Sequence, residues 1–179
     1  MRRSFSFAVI ALTLCLALPG LHASENTPTA SPLSLPISGN PLLQVWDAPF
    51  GAPPFDQIDA MHFEPALEEA MRRQQADLQR IRELTDKPTF SNTIEALERA
   101  GADLRRIAPV FMNLYSANST PELQKLGGTL LPRLMSNQAA LFVDSRLFSR
   151  VKPIYLQRDM LGLNDEQKRV VERYYTQFV

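Results

Sequence analysis

Apolar residues recur every three or four positions from Asp59 to the end of the chain, with charged residues filling the positions between them. This spacing is typical of amphipathic α-helices, because it places the apolar side chains on one face. No segment alternates apolar and polar residues for long, so the pattern predicts an all-α fold without a sheet. The helices are predicted near 64–84, 91–118, 121–143, 145–161 and 165–179.

The first two predicted helices are joined by a short loop that contains Lys87 and Pro88. Two long helices joined in this way form an antiparallel hairpin. The apolar stripe of the second helix runs from Ile94 to Leu114 and includes Gly101, which predicts a close approach between helices.

Several residues mark the ends or weak points of the later helices. Thr120 and Asp144 are N-cap residues, and Asn164 with Gln167 resembles a capping box. Gly127-Gly128 and Pro132 fall inside the helix 121–143, where glycine and proline are unfavourable. We therefore expect a kink or break in that helix.

Residues 1–23 have the pattern of a secretory signal peptide. Arg2 and Arg3 form a positive start, an uncharged apolar run follows, and Ala23 precedes a cleavage site before Ser24. A membrane anchor is the alternative, but the apolar run is short for a membrane-spanning helix. We expect export to the periplasm and no membrane attachment after cleavage.

Two segments separate this leader from the helices. Residues 24–40 are rich in Ser, Thr, Pro and Asn and are predicted to be a flexible linker. Residues 41–54 combine apolar residues with several prolines, which excludes a helix and disfavours a central strand. We expect an extended arm over the helical body, with Trp46 as its buried anchor; the alternative is that Trp46 stacks on a ligand. The helical region as a whole is taken as 41–179.

The composition excludes several classes of protein. Lys and Arg together number 19, as do Asp and Glu, so the formal net charge is zero and nothing indicates a nucleic-acid partner. Cleavage before Ser24 would leave a charge of −2, no cysteine and one histidine. The mature chain would then have neither a disulfide nor a cysteine-based zinc site.

The sequence contains no glycine-rich phosphate loop and no nucleophile elbow. His62 and Glu64 are not spaced as zinc ligands, which lie at i and i+4 on one helix face. His62 is therefore interpreted as a structural residue at a turn before the first long helix. Arg72-Arg73 and Arg105-Arg106 are interpreted as solvated helix faces; the alternative is that their guanidinium groups hold a peptide carboxylate. Tyr174-Tyr175 is interpreted as a pair with one ring in the apolar core and one at the rim of that core, rather than as a substrate contact.

Three stretches together resemble the start of a bacterial peptidyl-dipeptidase. They are NPLLQVWDAPFGAPPFDQI at 40–58, HFEPALEEAM at 62–71 and PTFSNTIEALER at 88–99. The similarity continues through 111–123 and 147–178, so it covers nearly all of the chain after the linker. The family is that of the dipeptidyl carboxypeptidases, within the thimet-oligopeptidase group of zinc metallopeptidases.

The resemblance implies a parent that is much longer, almost wholly helical and built of two lobes around a deep channel. Members of the family bind zinc through an H-E-x-x-H helix and a later glutamate, and none of these positions exists in this chain. No catalytic residue and no metal ligand is therefore carried over, and no substrate-binding residue is assigned. Zinc is expected in the parent, and none is expected to bind this chain.

Three functions follow from these observations. The first is an N-terminal fragment of an exported zinc peptidase that removes C-terminal dipeptides from oligopeptides, inactive without its C-terminal lobe. The second is a stand-alone periplasmic module, derived from such a peptidase, that binds peptides or a partner. The third is a purely structural helical bundle. The final helix carries an apolar face and no stop signal, which favours the fragment and predicts that the isolated chain self-associates.

Overall fold

The computed structural model describes residues 37–179, so the predicted signal peptide and most of the predicted linker lie outside the described residues. The described part is all-α and contains no strand, as the sequence predicted. Its α-helices are α1 (Ala60–Glu83), α2 (Ala96–Arg99), α3 (Ala102–Ala117), α4 (Pro121–Phe142), α5 (Ser145–Gln157) and α6 (Asp165–Phe178). A π-helical segment at Phe90–Glu95 leads directly into α2.

The predicted single helix 91–118 is wrong, because the chain turns at Gly101. That residue has a φ of +77°, in the left-handed region that glycine adopts readily. A Cβ at Gly101 would lie 2.4 Å from Nε2 of Gln74 in α1. The expected close approach is therefore confirmed, and the same glycine also ends α2 and begins α3.

The predicted break in the helix 121–143 is also wrong, because α4 runs without interruption through Gly127, Gly128 and Pro132. Gly127 has a packing role instead. A Cβ at this position would lie 2.3 Å from Cε2 of Tyr115, whose ring stacks on Phe111 with centroids 6.0 Å apart. The absence of a side chain at Gly127 lets α3 and α4 approach each other.

Two other helix boundaries differ from the prediction by more than one residue. Helix α1 begins at Ala60 rather than near 64, and α5 ends at Gln157 rather than near 161. Pro65 is the sixth residue of α1 and lies inside the helix, where its missing N–H leaves the carbonyl oxygen of Met61 without its helical donor.

Helix α1 contributes to two separate apolar cores. Its first half packs with α3, the start of α4 and Leu42 of the arm, whereas its second half packs with α2, α5 and α6. The fully buried aromatic rings of Phe63 and Phe111 meet in the first core with centroids 5.2 Å apart. Leu78 and Val171 are buried in the second.

Amide side chains lie in the middle of α1, between the half that packs in the first core and the half that packs in the second. Nε2 of Gln75 donates to Oδ1 of Asn137 in α4 at 2.9 Å, and Nδ2 of Asn137 donates to Oε1 of Gln74 at 2.6 Å. These hydrogen bonds satisfy the polar groups where α1 passes from one core to the other.

The arm is anchored on the helices by Leu42 and Asn40, and Trp46 packs at the edge of the first core. Leu42 is fully buried, and Nδ2 of Asn40 donates to the carbonyl oxygen of His62 at 2.9 Å. Trp46 is only half-buried, so its predicted role as the buried anchor is wrong. The arm is also less extended than expected, with 3₁₀ turns at Pro41–Leu43, Pro49–Gly51 and Phe55–Gln57.

Arg150 of α5 fastens the loop between α1 and the π-helical segment. It is buried, with its Nη1 donating to the carbonyl oxygens of Leu84 at 2.8 Å and Asp86 at 3.2 Å. Its Nη2 donates to Oδ1 of Asn92 at 3.2 Å. A positive charge is favourable here, because the free carbonyls at the end of α1 carry partial negative charge.

Substituting the two adjacent glycines of α4 should have opposite effects. Gly127→Ala should lower the free energy of unfolding by about 1–2 kcal/mol, because the new methyl group displaces Tyr115 from Phe111. Gly128→Ala is the matched control, since a Cβ there meets nothing within 4 Å, and it should raise the free energy of unfolding by up to about 1 kcal/mol. Urea denaturation followed by circular dichroism measures both. Equal effects of the two substitutions would contradict the packing role of Gly127.

Candidate functional site

A network of arginines and carboxylates connects α1 with α3. Its centre is the buried carboxylate of Glu69, which accepts two hydrogen bonds from Arg72, at 2.6 and 2.7 Å. Nε of Arg73 donates to the same carboxylate at 2.8 Å. Arg73 also reaches Asp103 at the start of α3, with Nη1 to Oδ2 at 2.8 Å.

The network continues from Asp103 to the arm. Nη2 of Arg106 donates to Oδ1 of Asp103 at 3.2 Å, and its Nη1 donates to the carbonyl oxygen of Gln44 at 2.6 Å. The guanidinium of Arg106 also lies 4.4 Å from the centroid of the Trp46 ring, a cation–π contact. The indole Nε1 of Trp46 donates to the carbonyl oxygen of Pro41 at 3.1 Å.

The charge of Glu69 is stabilised by its partners. Hydrogen bonds from Arg72 and Arg73 lower the pKa of the Glu69 carboxyl to about 2 and outweigh the opposing effect of its burial. The same contacts raise the pKa of both arginines. Glu69, Arg72 and Arg73 therefore stay charged over the whole physiological pH range.

Two grooves are lined in part by residues of this network. The first, of about 670 Å³, is formed by the arm and is lined by Trp46, His62 and several prolines. The second, of about 330 Å³, lies between α1 and the turn at Gly101, and four arginines line it. Each groove holds residues that the sequence analysis had singled out.

His62 has a structural role, as the sequence predicted, although it lies within the first turn of α1 rather than before the helix. Its Nδ1 accepts a hydrogen bond from the backbone N–H of Asp59 at 2.9 Å, so that nitrogen is not available to a metal. Among residues 37–179, no group of three or more His, Cys, Asp or Glu side chains could hold a metal ion. The described residues thus do not fit the catalytic zinc that the resemblance implies, and no step of hydrolysis is assigned to them.

The Tyr174-Tyr175 pair lies in the core and at its rim, as predicted. Tyr174 is buried in the second core, and burial together with a hydrogen bond to Glu98 raises the pKa of its hydroxyl. Tyr175 is half-buried and stacks on Tyr155, with ring centroids 3.8 Å apart.

The structure brings together four of the candidates from the sequence, since one network contains Arg72, Arg73, Arg106 and Trp46. Arg72, Arg73 and Arg105 are exposed, as expected of a solvated face, whereas Arg106 is half-buried against Trp46. Sequence analysis missed Glu69 and Asp103. The i, i+3 and i, i+4 spacings to Arg72, Arg73 and Arg106 were a detectable signal for ion pairs. The contact between Arg73 and Asp103, which are 30 residues apart, left no such signal.

No family model matches this chain. Individual proteins do match it. The dipeptidyl carboxypeptidase of Salmonella typhimurium is 36% identical over 143 residues, which are 80% of this chain and 21% of that protein. The dipeptidyl carboxypeptidase of Escherichia coli is 36% identical over 140 residues, 78% of this chain and 21% of that protein. The organellar oligopeptidase A of Arabidopsis thaliana is 29% identical over 136 residues, 76% of this chain and 17% of that protein.

The chain is therefore a relative of peptidases. Within that class its sequence is similar to the bacterial dipeptidyl carboxypeptidases and the plant oligopeptidases A, which confirms the resemblance drawn from the sequence. It spans about a fifth of the length of the relatives it matches.

The charged network should make stability depend on pH in a predictable direction. The pKa of Glu69 in the folded chain is about 2, below its usual value of 4.5. Its contribution to the free energy of unfolding is therefore present above pH 4.5 and lost as the pH falls toward 2. We expect Glu69→Gln to lower the free energy of unfolding at pH 6 by about 2 kcal/mol. The neutral amide removes the negative charge that accepts the hydrogen bonds of Arg72 and Arg73. The difference from the unsubstituted chain should shrink as the pH falls from 4.5 to 2.

Denaturant unfolding at several pH values measures this difference. Glu68→Gln is the control, because Glu68 is half-exposed and forms a surface ion pair with Arg133. Such pairs contribute about 0–1 kcal/mol, so this substitution should have a small effect at every pH. If Glu69→Gln lowered the free energy of unfolding by the same amount at every pH, the lowered pKa of Glu69 would be contradicted.

Proposed function

We propose that this chain is the N-terminal helical part of an exported zinc peptidase that releases C-terminal dipeptides from oligopeptides. The observation that carries the proposal is the 36% identity to two dipeptidyl carboxypeptidases over about four fifths of the chain. The chain corresponds to about a fifth of those proteins, so its contribution is to part of the enzyme rather than to the whole.

In this proposal the chain supplies framework rather than catalysis. Two packed cores and the network around Glu69 hold the helices and the arm in one arrangement. The zinc ligands and the water-activating glutamate belong to other parts of the parent, which also provide the C-terminal lobe. The oligopeptide substrate would bind between the two lobes.

Exposed apolar side chains support a role within a larger protein. Met135 and Val143 of the α4–α5 region are 72% and 80% exposed, and Leu156 and Met160 near the end of α5 are 62% and 79% exposed. Apolar surface of this kind is more stable when another part of a protein covers it. Among residues 37–179 no helix is long and apolar enough to cross a lipid bilayer.

A chimera tests whether the chain can take the place of its counterpart in an active enzyme. The 140-residue region of E. coli dipeptidyl carboxypeptidase that matches this chain is replaced by the matching residues of this chain. We expect the chimera to release dipeptides from a blocked tripeptide in a zinc-dependent manner. We expect the 179-residue chain alone to release none, with or without zinc.

The unaltered E. coli enzyme is the positive control for the assay, and circular dichroism and a thermal melt show whether the chimera is folded. A folded chimera without activity would overturn the proposed role in the enzyme. Chelator-sensitive hydrolysis by the purified chain alone would overturn its assignment to the framework.

Export is tested by expressing the chain in a Gram-negative host and measuring the mass of the protein in the periplasmic fraction. We expect a product that begins at Ser24, because Ala23 satisfies the small-residue requirement of a signal-peptide cleavage site. Arg2→Glu with Arg3→Glu should reduce export by removing the positive start. Arg146→Glu with Arg169→Glu is the matched control, because both arginines are exposed on the surface of the helices. A product that retains Met1 and stays in the cytoplasm would contradict the proposal.

A further inference from the structure

The arm consists of two parts that are held differently. Residues 40–46, called the anchor segment here, are fixed on the helices by the fully buried Leu42 and by hydrogen bonds with His62 and Arg106. Residues 47–57, called the hinge here, connect the anchor segment to α1, and none of them is buried. Among residues 37–179, the backbone hydrogen bonds of the hinge join only members of the hinge itself. The anchor segment is therefore tied to the helices, whereas the hinge is not.

The backbone of the hinge is strained at Phe50. Among the described residues, Phe50 is the one residue other than glycine with a positive φ, at +62°. It forms a turn with Gly51, whose φ is +67°, and the N–H of Ala52 closes the turn by donating to the carbonyl oxygen of Pro49 at 3.3 Å. Turns with two left-handed central residues favour Gly, Asn or Asp, because a β-carbon in this conformation crowds the following carbonyl oxygen. A bulky side chain at this position is unfavourable for the hinge as it stands.

Packing does not compensate for this strain. The ring of Phe50 is fully exposed, and the nearby Val45 and Phe55 are 82% and 54% exposed. Apolar side chains exposed over so short a stretch are more stable when another surface covers them. An arrangement that extends the hinge and covers these side chains would relieve both the strain and the exposure.

The hinge is long enough to carry the anchor segment to another molecule. Its eleven residues span up to about 36 Å when extended. The site of the anchor segment on α1 and α3 is the same in every copy of the chain, so an anchor segment that leaves its own helices makes identical contacts on those of a second copy. These contacts cancel when the two forms are compared, and the hinge decides the balance.

We propose that two copies of this chain associate by exchanging their anchor segments. In the exchanged dimer Leu42 of each copy enters the first core of the other, and the two hinges run side by side. Phe50 leaves the left-handed conformation as the hinge extends, and the apolar side chains of the two hinges cover one another. Such an exchange needs no new binding site, and a strained hinge favours it. It depends neither on zinc nor on the proposed enzymatic role.

The charge of the hinge limits the strength of the dimer. Each hinge contains Asp47 and Asp56 and no basic residue, so two adjacent hinges repel each other. Added salt screens this repulsion and should therefore strengthen dimerisation.

Cross-linking detects an exchanged anchor segment directly. One copy of the 179-residue chain carries Gln44→Cys and the other Arg106→Cys, at the two ends of the hydrogen bond between the anchor segment and α3. Both carry Cys15→Ser, so that no other cysteine is present. The two copies are mixed in urea, refolded together at high protein concentration and treated with a short bis-maleimide. We expect heterodimers that mass spectrometry shows to be joined between positions 44 and 106. The loss of Arg106 removes the same contact from the closed and the exchanged form, so it does not bias the result.

Gln44→Cys mixed with Arg169→Cys is the matched control. Arg169 is an exposed arginine of α6, a helix that packs in the second core, so this pair measures cross-linking by non-specific association. We expect at least about tenfold more heterodimer with position 106 than with position 169, because cysteines held together in one complex react at a high effective concentration. Equal yields from the two pairs would overturn the proposal.

Two substitutions at Phe50 separate the effect of strain from that of the ring. Phe50→Ala removes the ring but keeps a β-carbon at positive φ, whereas Phe50→Gly removes both. Size-exclusion chromatography with light scattering at several protein concentrations gives the dissociation constant of the dimer, after circular dichroism has confirmed that each variant is folded. We expect Phe50→Gly to weaken dimerisation about tenfold more than Phe50→Ala does, because glycine leaves no strain for the exchange to relieve.

Equal dissociation constants for the two Phe50 variants would overturn the proposal, because the strained hinge would then not favour exchange. So would an unsubstituted chain that remains monomeric at every concentration, or a dimer that added salt weakens.

Discussion

The burial of both halves of α1 is the constraint on which the rest of the structure depends. Phe63 and Leu67 place the first half of the helix in one core, and Leu78 and Ile81 place the second half in another. The arm, α3 and the start of α4 are arranged around the first core, and α2, α5 and α6 around the second. Since a single helix carries both cores, their relative position is fixed by a continuous hydrogen-bonded backbone rather than by a loop.

Polar contacts refine this arrangement and do not create it. The carboxylate of Glu69 holds the guanidinium groups of Arg72 and Arg73 in place. Hydrogen bonds of Asp103 and Arg106 then connect this group to the arm. Each acidic residue of the network is shared by two arginines. The network thus connects α1, α3 and the arm through shared ion pairs and hydrogen bonds.

The sequence was sufficient to predict the helical class because periodic burial is a local property of each segment. It was less informative about glycine. The pattern predicts a weak point at Gly127 and a close approach at Gly101. In the structure Gly101 interrupts a predicted helix, and Gly127 makes room for Tyr115 within an unbroken one. What a glycine does depends on the residue that faces it from another helix, and that residue is known only once the chain is folded.

The arm and the candidate site also depend on contacts between residues that are distant in the sequence. Apolar content singled out Trp46 as the anchor, but Leu42 is the residue that is fully buried, because it reaches the first core from the 3₁₀ turn at Pro41–Leu43. The network was invisible in the sequence beyond its short-range pairs, since its longest contacts join residues 30 and 62 positions apart. Similarity to known peptidases identified the class of protein, which the contacts of the described residues alone would not have done.

The contact between Trp46 and Arg106 has an optical consequence. Trp46 is the single tryptophan of the sequence, so all indole fluorescence of the chain comes from the arm. A guanidinium 4.4 Å from the ring centroid changes the electric field at the indole, and departure of the arm would remove that field and expose the ring to water. The emission spectrum therefore reports whether the arm is seated, separately from circular dichroism, which follows the helices beneath it.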